Sequence, residues 1–201
     1  MVILAIKPQD LDHLADTMGP LARKSLVLSM LAGTSIARIR HALGTRKIIR
    51  IMPNLAADIG KAVTGIAFSD EVDFPTRTTI LELLTGIGTL LEVGEDQLNA
   101  VTGLSGSGIA YVLKFIEALA MGGVEQGLPY SQALAAARDV VESAALLLKE
   151  GDTLPAELIS RVSSPGGTTI RGIRALEDGG FTSSVMAAVE AAATRAGELE
   201  R

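Results

Sequence analysis

Ser163-Ser164-Pro165-Gly166-Gly167-Thr168-Thr169-Ile170 is the stretch whose residue types most invite chemistry. Ser164 suits a helix N-cap and Pro165 the first helical position, so a helix is predicted to open there. Its later face is Ile170, Ile173 and Leu176, and Gly179 ends it. Two glycines in a first turn destabilise a helix by about 1 kcal/mol each relative to alanine. A site that needs bare backbone tolerates that loss. The free N–H groups and the positive helix end suit a carboxylate, with Gly166 and Gly167 giving access and Ser164, Thr168 and Thr169 adding hydroxyls. The same residues also fit an ordinary capped junction, and both readings stay open on the residues alone.

Two further stretches are candidates. Thr102-Gly103-Leu104-Ser105-Gly106-Ser107-Gly108 has alternating small residues that permit close approach by a ligand or by another backbone. It has no preceding strand and no P-loop lysine, which excludes a phosphate loop and leaves a tight inter-domain turn as the other reading. Lys7-Pro8-Gln9, Met30 to Gly33 and Met52-Pro53-Asn54 each follow an apolar run. If those runs are parallel strands, their carboxyl ends form a ligand floor; plain strand-ending turns are the alternative. His13 and His41 fall on predicted outer helices, away from all three stretches. No His/Asp/Glu set has metal-ligand spacing and no Ser-His-Asp arrangement is visible, so no metal is expected. An enzyme built this way would leave the difficult step to a cofactor.

The elements that must position these stretches fall into two halves. Residues 1–94 read as α/β: apolar runs at Val2–Ile6, Ser25–Leu31, Lys47–Met52 and Ala62–Phe68 predict strands. Helices are predicted over Gln9–Met18, from a Thr34 cap to Leu43 with Gly44 as its stop, and over Pro75–Leu91. Strands alternating with helices imply a Rossmann-like parallel sheet. Residues 95–201 contain no convincing strand. Ile109–Met121 is apolar nearly all round, which predicts a helix buried in something larger. Leu134, Ala137, Val141, Ala144 and Leu148 mark one helical face. Phe181-Thr182 with Met186 reads as a cap and staple for a last helix lined by Val185, Val189, Ala192, Ala196 and Leu199. The expectation is an all-α second domain that pairs with another subunit.

Composition bounds the partners. Over 201 residues the net charge is −5 and 20% of residues are charged, which argues against nucleic acid or an anionic membrane as partner. Nearly half the residues are apolar, enough for a sizeable core, and there is no cysteine for a disulfide or thiolate site. No run approaches the ~20 apolar residues of a membrane span and none resembles a signal segment, so a cytoplasmic location is expected. A dinucleotide fold opens with a strand and a Gly-x-Gly-x-x-Gly turn. Lys7-Pro8-Gln9 follows the first strand here, so the sequence is expected to open within a Rossmann-like sheet. Roughly 60 residues, about two βαβ steps, would complete its first half.

Together these stretches resemble pyrroline-5-carboxylate reductase. Leu4 to Gln9 is similar to the family's strand-end motif, Arg50-Ile51-Met52-Pro53-Asn54 to its Met-Pro-Asn turn, and Thr102 to Tyr111 to its Thr-Gly-Leu-Ser-Gly-Ser-Gly-Pro-Ala-Tyr run. Glu117 to Pro129 and Val162 to Ile170 fit the motifs that follow. Ile109, Leu55-Ala56-Ala57 and Leu154 depart from the family's Pro, Thr-Pro-Ala and His. The resemblance implies hydride transfer from NADPH or NADH to the C=N carbon of 1-pyrroline-5-carboxylate, giving proline. It implies that Ser164, Gly166, Gly167, Thr168 and Thr169 hold the substrate carboxylate, that Thr102 sits by the ring nitrogen as the catalytic residue, and that Lys7, Pro8, Ala32 and Asn54 face the nucleotide. It also implies homodimers, which can assemble into a larger ring. A non-catalytic dimerisation fragment and another imine or 2-hydroxy-acid dehydrogenase are the alternatives.

Overall fold

The computed structural model describes residues 1–151 and 153–199. Two compact units form: one from residues 1–109 with 188–199, the other from 110–187. The first holds a five-stranded sheet in the order β1 (Val2–Leu4), β2 (Val27–Ser29), β3 (Ile48–Met52), β4 (Ala62–Phe68), β5 (Gly88–Glu92). Between the strands run α1 (Leu11–Met18), α2 (Pro20–Arg23), α3 (Ile36–Leu43) and α4 (Phe74–Leu84).

Side chains alternate across the sheet, as the period of two requires. Val27 and Ile48 join Leu4, Leu11, Ile39 and Leu43 in a core under α1 and α3. Leu28, Ile49, Ile51 and Ile66 join Val72, Ile80 and Leu84 in a second core under α4. A sheet covered on both faces explains why its strands read as continuous apolar runs.

The sheet is mixed, not parallel throughout. β1–β2, β2–β3 and β4–β5 are parallel, but β3 and β4 run antiparallel, with Ile51 opposite Ile66. The reason is length: residues 53–61 hold only a 3-10 turn, Leu55–Ile59, closed by left-handed Gly60. A parallel crossover needs a dozen or more residues. The helix expected to run to Leu91 stops at Leu84, and β5 follows. Gly86 and Gly88 are the residues that break it. Gly88 has φ 137, and a Cβ there would strike the backbone of Ala62 on the neighbouring strand. Ser35, not Thr34, caps α3 by accepting from the Arg38 N–H at 3.1 Å, and left-handed Gly44 ends it as expected.

The helical region comprises α5 (Leu98–Val101), a π turn over Thr102–Gly106, α6 (Gly108–Glu125), α7 (Tyr130–Glu150), α8 (Pro155–Val162), α9 (Thr168–Asp178) and α10 (Phe181–Glu198). α6 and α7 form a hairpin that packs through small residues: Ala133 and Ala137 bury against Ala120, Ile116 and Val124. A Cβ on Gly123 would lie 3.0 Å from that of Ala133. The packed face of α7 is thus the Ala133 stripe, while Leu134, Ala144 and Leu148 stay exposed. α6 itself is mostly exposed in the single chain. Glu95–Glu125 forms one helical run long and apolar enough, by length and composition, to cross a membrane. The sequence hid that length because its glycines read as a turn. Thr182 lies inside α10, where its hydroxyl donates to Glu177; it is not the cap.

Candidate functional site

β2 and β3 run parallel and end side by side, and a cavity of about 230 Å³ lies beyond their carboxyl ends. Ala32 and Gly33 follow β2 on one side of it, and Met52 ends β3. The last turns of α10 border it with Ala192 and Ala196. Gly33 is left-handed at φ 62, and a Cβ there would lie 2.6 Å from the Leu199 carbonyl oxygen, so only glycine lets α10 close this edge. A lining of alanine, glycine and methionine at parallel strand ends fits a flat aromatic ring such as nicotinamide. Arg195 is the cation at the rim, 2.7 Å from Glu198.

Thr102 and Asn99 bring polar groups to the same cavity. The Thr102 hydroxyl donates to the Leu98 carbonyl at 2.8 Å. Its proton is thereby turned into the helix, and its oxygen lone pairs remain as acceptors. Thr102 opens the π turn, in which the Ser107 N–H donates to the Thr102 carbonyl five residues back, at 2.9 Å. Single π turns inside α-helices recur at functional sites. The glycines of this stretch do not turn the chain. Gly103 is buried, and a Cβ there would come within 2.6 Å of the Val189 carbonyl oxygen, so it permits close approach by α10.

The sheet grips this helix at two points. Asn54 donates from Nδ2 to the Ser105 carbonyl at 3.0 Å, while its Oδ1 accepts from the Ala56 N–H at 3.2 Å. Arg50, with its side chain only 2% exposed, bonds Glu95 at 2.9 Å, and Glu95 also accepts the Ile36 N–H at the start of α3. Sequence reasoning missed Arg50 and Glu95 as a pair. The available signal was an arginine amid Ile48, Ile49 and Ile51, since a buried cation requires a partner.

A second candidate lies in the helical unit. Ser164-Pro165-Gly166-Gly167 forms a turn in which the Gly167 N–H donates to the Ser164 carbonyl at 3.0 Å and Gly166 is left-handed at φ 70. Proline then glycine at the two central positions is the type II preference. α9 therefore begins three residues later than the sequence suggested, with Gly167 as its N-cap; Ser164 and Pro165 belong to the turn. No side chain caps the first turn of α9. Its N–H groups remain donors for an anion, beside the half-buried Thr169 and the exposed hydroxyls of Ser164 and Thr168. The buried Ser163 Oγ has no hydrogen-bond partner among the described residues.

The structure thus brings Ala32 and Thr102 together at one cavity. Lys7 is exposed at the end of β1, where it precedes the 3-10 turn Pro8–Asp10; Lys7, Pro8 and Asn54 lie outside the cavity lining. Ser164, Gly166, Gly167, Thr168 and Thr169 stand together in the other unit. Gly33, Met52, Asn99 and Arg195 are lining residues that the sequence did not single out as individual site residues.

A family model for pyrroline-5-carboxylate reductase dimerisation matches residues 95–199. The chain is 41% identical over 200 residues to the pyrroline-5-carboxylate reductase of Aquifex aeolicus, covering 99% of this chain and 75% of that one. It is 43% identical over 199 residues to that of Synechocystis, covering 99% and 74%. Among solved structures, the Plasmodium falciparum pyrroline carboxylate reductase with NADP bound superposes with a TM-score of 0.91 at 26% identity, over 99% of this chain and 76% of that one. The Streptococcus pyogenes 1-pyrroline-5-carboxylate reductase superposes with a TM-score of 0.90 at 33% identity, over 98% and 75%.

Proposed function

The chain belongs to the pyrroline-5-carboxylate reductase family, and we propose how its own residues divide the family's reaction among themselves. That reaction reduces 1-pyrroline-5-carboxylate to L-proline with hydride from NADPH or NADH. The nucleotide, when bound, supplies the hydride. Ala32 and the strand-end residues Lys7, Pro8 and Asn54 face it, with Gly33 and Met52 completing the floor. Ser164, Gly166, Gly167, Thr168 and Thr169 hold the substrate carboxylate through backbone N–H groups and hydroxyls.

Thr102 attends the ring nitrogen. The imine is basic and enters protonated, so its N–H⁺ donates to Thr102 Oγ1, whose own proton is already given to Leu98. As hydride reaches the ring carbon, the C=N π pair moves onto nitrogen and the positive charge disappears there. The nitrogen keeps its proton, so the chemical step needs no protein acid. That agrees with the placement of His13 and His41 on the outer helices α1 and α3.

The observation that carries this reading is the Thr102 hydroxyl, oriented by Leu98, at the cavity beyond β2 and β3. Thr102→Ala removes one hydrogen bond to a charged group, about 1.5–3 kcal/mol, so kcat/KM for the imine falls roughly ten- to a hundredfold. Thr102→Ser should retain most activity. Wild-type kinetics in Thr102→Ala would remove Thr102 from the mechanism.

The helical region forms a dimer interface. A cytoplasmic location and assembly of the dimers into a larger ring complete the reading. Light scattering decides the ring, which gives a mass that is a multiple of the dimer's.

A further inference from the structure

We infer that Asn54 is a positioning residue: it sets the π turn that carries Thr102, and so acts on the reaction through Thr102. The inference rests on the role given to Thr102 above. Asn54 stands two residues beyond β3, and its amide is committed at both ends. Oδ1 accepts from Ala56 N–H, which fixes the orientation of the amide and leaves Nδ2 aimed at the Ser105 carbonyl. Ser105 lies within the π turn, three residues after Thr102. A π turn departs from the i→i+4 ladder, so partners from outside the helix help to hold its carbonyls. The Ser105 hydroxyl adds a bond back to the Val101 carbonyl at 3.0 Å, which ties the turn to α5.

A second clamp from the same strand holds the other side of Thr102. Arg50 bonds Glu95, seven residues before Thr102, and Glu95 in turn takes the first N–H of α3. β3 and the residues just after it therefore grip the helical run on both sides of Thr102, by a charged pair upstream and an amide–carbonyl bond downstream. The charged clamp joins the buried Arg50 to the half-buried Glu95 and fixes where the run starts. The Asn54 clamp is the one that touches the turn itself, so it controls where the Thr102 oxygen sits.

Asn54→Asp separates this role from nucleotide contact. It keeps an acceptor for Ala56 N–H and places a carboxylate oxygen, with no proton to give, against the Ser105 carbonyl. Three readouts are taken on the purified protein: dihydronicotinamide fluorescence for nucleotide Kd, steady-state kcat, and amide hydrogen exchange. Expected are a kcat at saturating nucleotide about tenfold lower or more, a nucleotide Kd that weakens as well because Asn54 also faces the nucleotide, and exchange across 103–107 faster by about tenfold with β4 unchanged. Should Asn54→Asp fail to fold, Asn54→Ser keeps a short acceptor for the turn and removes the longer amide group that reaches the Ser105 carbonyl, and the same pattern is expected. Unchanged exchange across 103–107, or a raised nucleotide Kd with wild-type kcat, overturns the inference. Thr102→Ala is run beside it. If Thr102→Ala keeps wild-type kcat, the reading of Thr102 fails and this inference falls with it. If Thr102→Ala lowers kcat and Asn54→Asp does not, only this inference falls.

Discussion

The two units of this chain solve the burial problem differently. The α/β unit packs leucine, isoleucine and valine from both faces of its sheet, with Ile39, Ile48, Ile49 and Ile66 fully inaccessible. Among the described residues of the unit 110–187, the fully buried side chains are the alanines Ala120, Ala133 and Ala137. Its large apolar side chains point outward: Leu113 is 59% exposed, Met121 54%, Val140 59% and Leu147 54%. Apolar area gains about 25 cal/mol per Å² when removed from water. The first unit collects that gain within one chain. The second leaves it to a second subunit, and the dimerisation match covers these outward-facing apolar helices.

The sharpest way to break this contrast is charge. Leu113→Glu places a carboxylate on an exposed apolar face of the region that matches the dimerisation family, and burying an unpaired charge in a dimer costs several kcal/mol. The dimer should dissociate in micromolar sedimentation, with Tm lower by on the order of 10 °C. Phe74→Glu makes the same chemical change at a residue 80% exposed in the α/β unit. It should shift neither assembly nor Tm by more than about 2 °C.

A smaller effect concerns the carboxylate stretch proposed in the helical unit. Thr169→Ala should raise the imine KM roughly ten- to a hundredfold, through one lost hydrogen bond to a carboxylate. Gly167→Val should raise it as strongly by occupying the approach. The backbone there permits a side chain, and the added Cβ meets chiefly the Ser164 hydroxyl, so the fold should survive. His13→Ala and His41→Ala should leave both kinetic constants unchanged. A histidine variant that abolished turnover while Thr169→Ala and Gly167→Val kept wild-type KM would place the chemistry elsewhere.

The smallest effect concerns only the α/β unit. Asp73 caps α4 by accepting from Thr76 N–H and pairs with Lys47, and both hold its carboxyl well below the usual range. A carboxylate with a depressed folded pKa contributes stability that is present above its unfolded value, about 3.9, and lost as pH falls towards the folded one. Asp73→Asn should therefore lower Tm by a few degrees at neutral pH and flatten its decline in acid, while the dimer stays intact.

Much of this was legible in the residues. The apolar run Ala62–Phe68 coincides with β4, Gly44 and Gly179 end their helices as expected, and a helix does open in the Ser164–Thr169 stretch, at Thr168 and not at Pro165. What escaped depends on neighbours distant in sequence. The antiparallel β3–β4 pair follows from how few residues link them, a constraint that apolar runs alone do not display. β5 escaped because Leu83, Leu84, Leu90 and Leu91 continue a plausible helical face across Gly86 and Gly88. Glycines mattered most where they meet another element: Gly103 lies against α10 and Gly33 against Leu199 just past its end, both far away in the chain. No local pattern announces such an approach. Arg50 is the exception that the residues do announce, since an arginine within an isoleucine run implies a carboxylate partner.

The central claim is that this chain carries hydride from nicotinamide to the ring carbon of the imine. Incubating the protein with 1-pyrroline-5-carboxylate and a nicotinamide nucleotide deuterated at the transferred position, then reading the product by mass spectrometry, tests it most directly. Proline should carry one deuterium on the former imine carbon, with one nucleotide oxidised per proline. A folded, dimeric protein that forms no proline, or proline without the label, would contradict it.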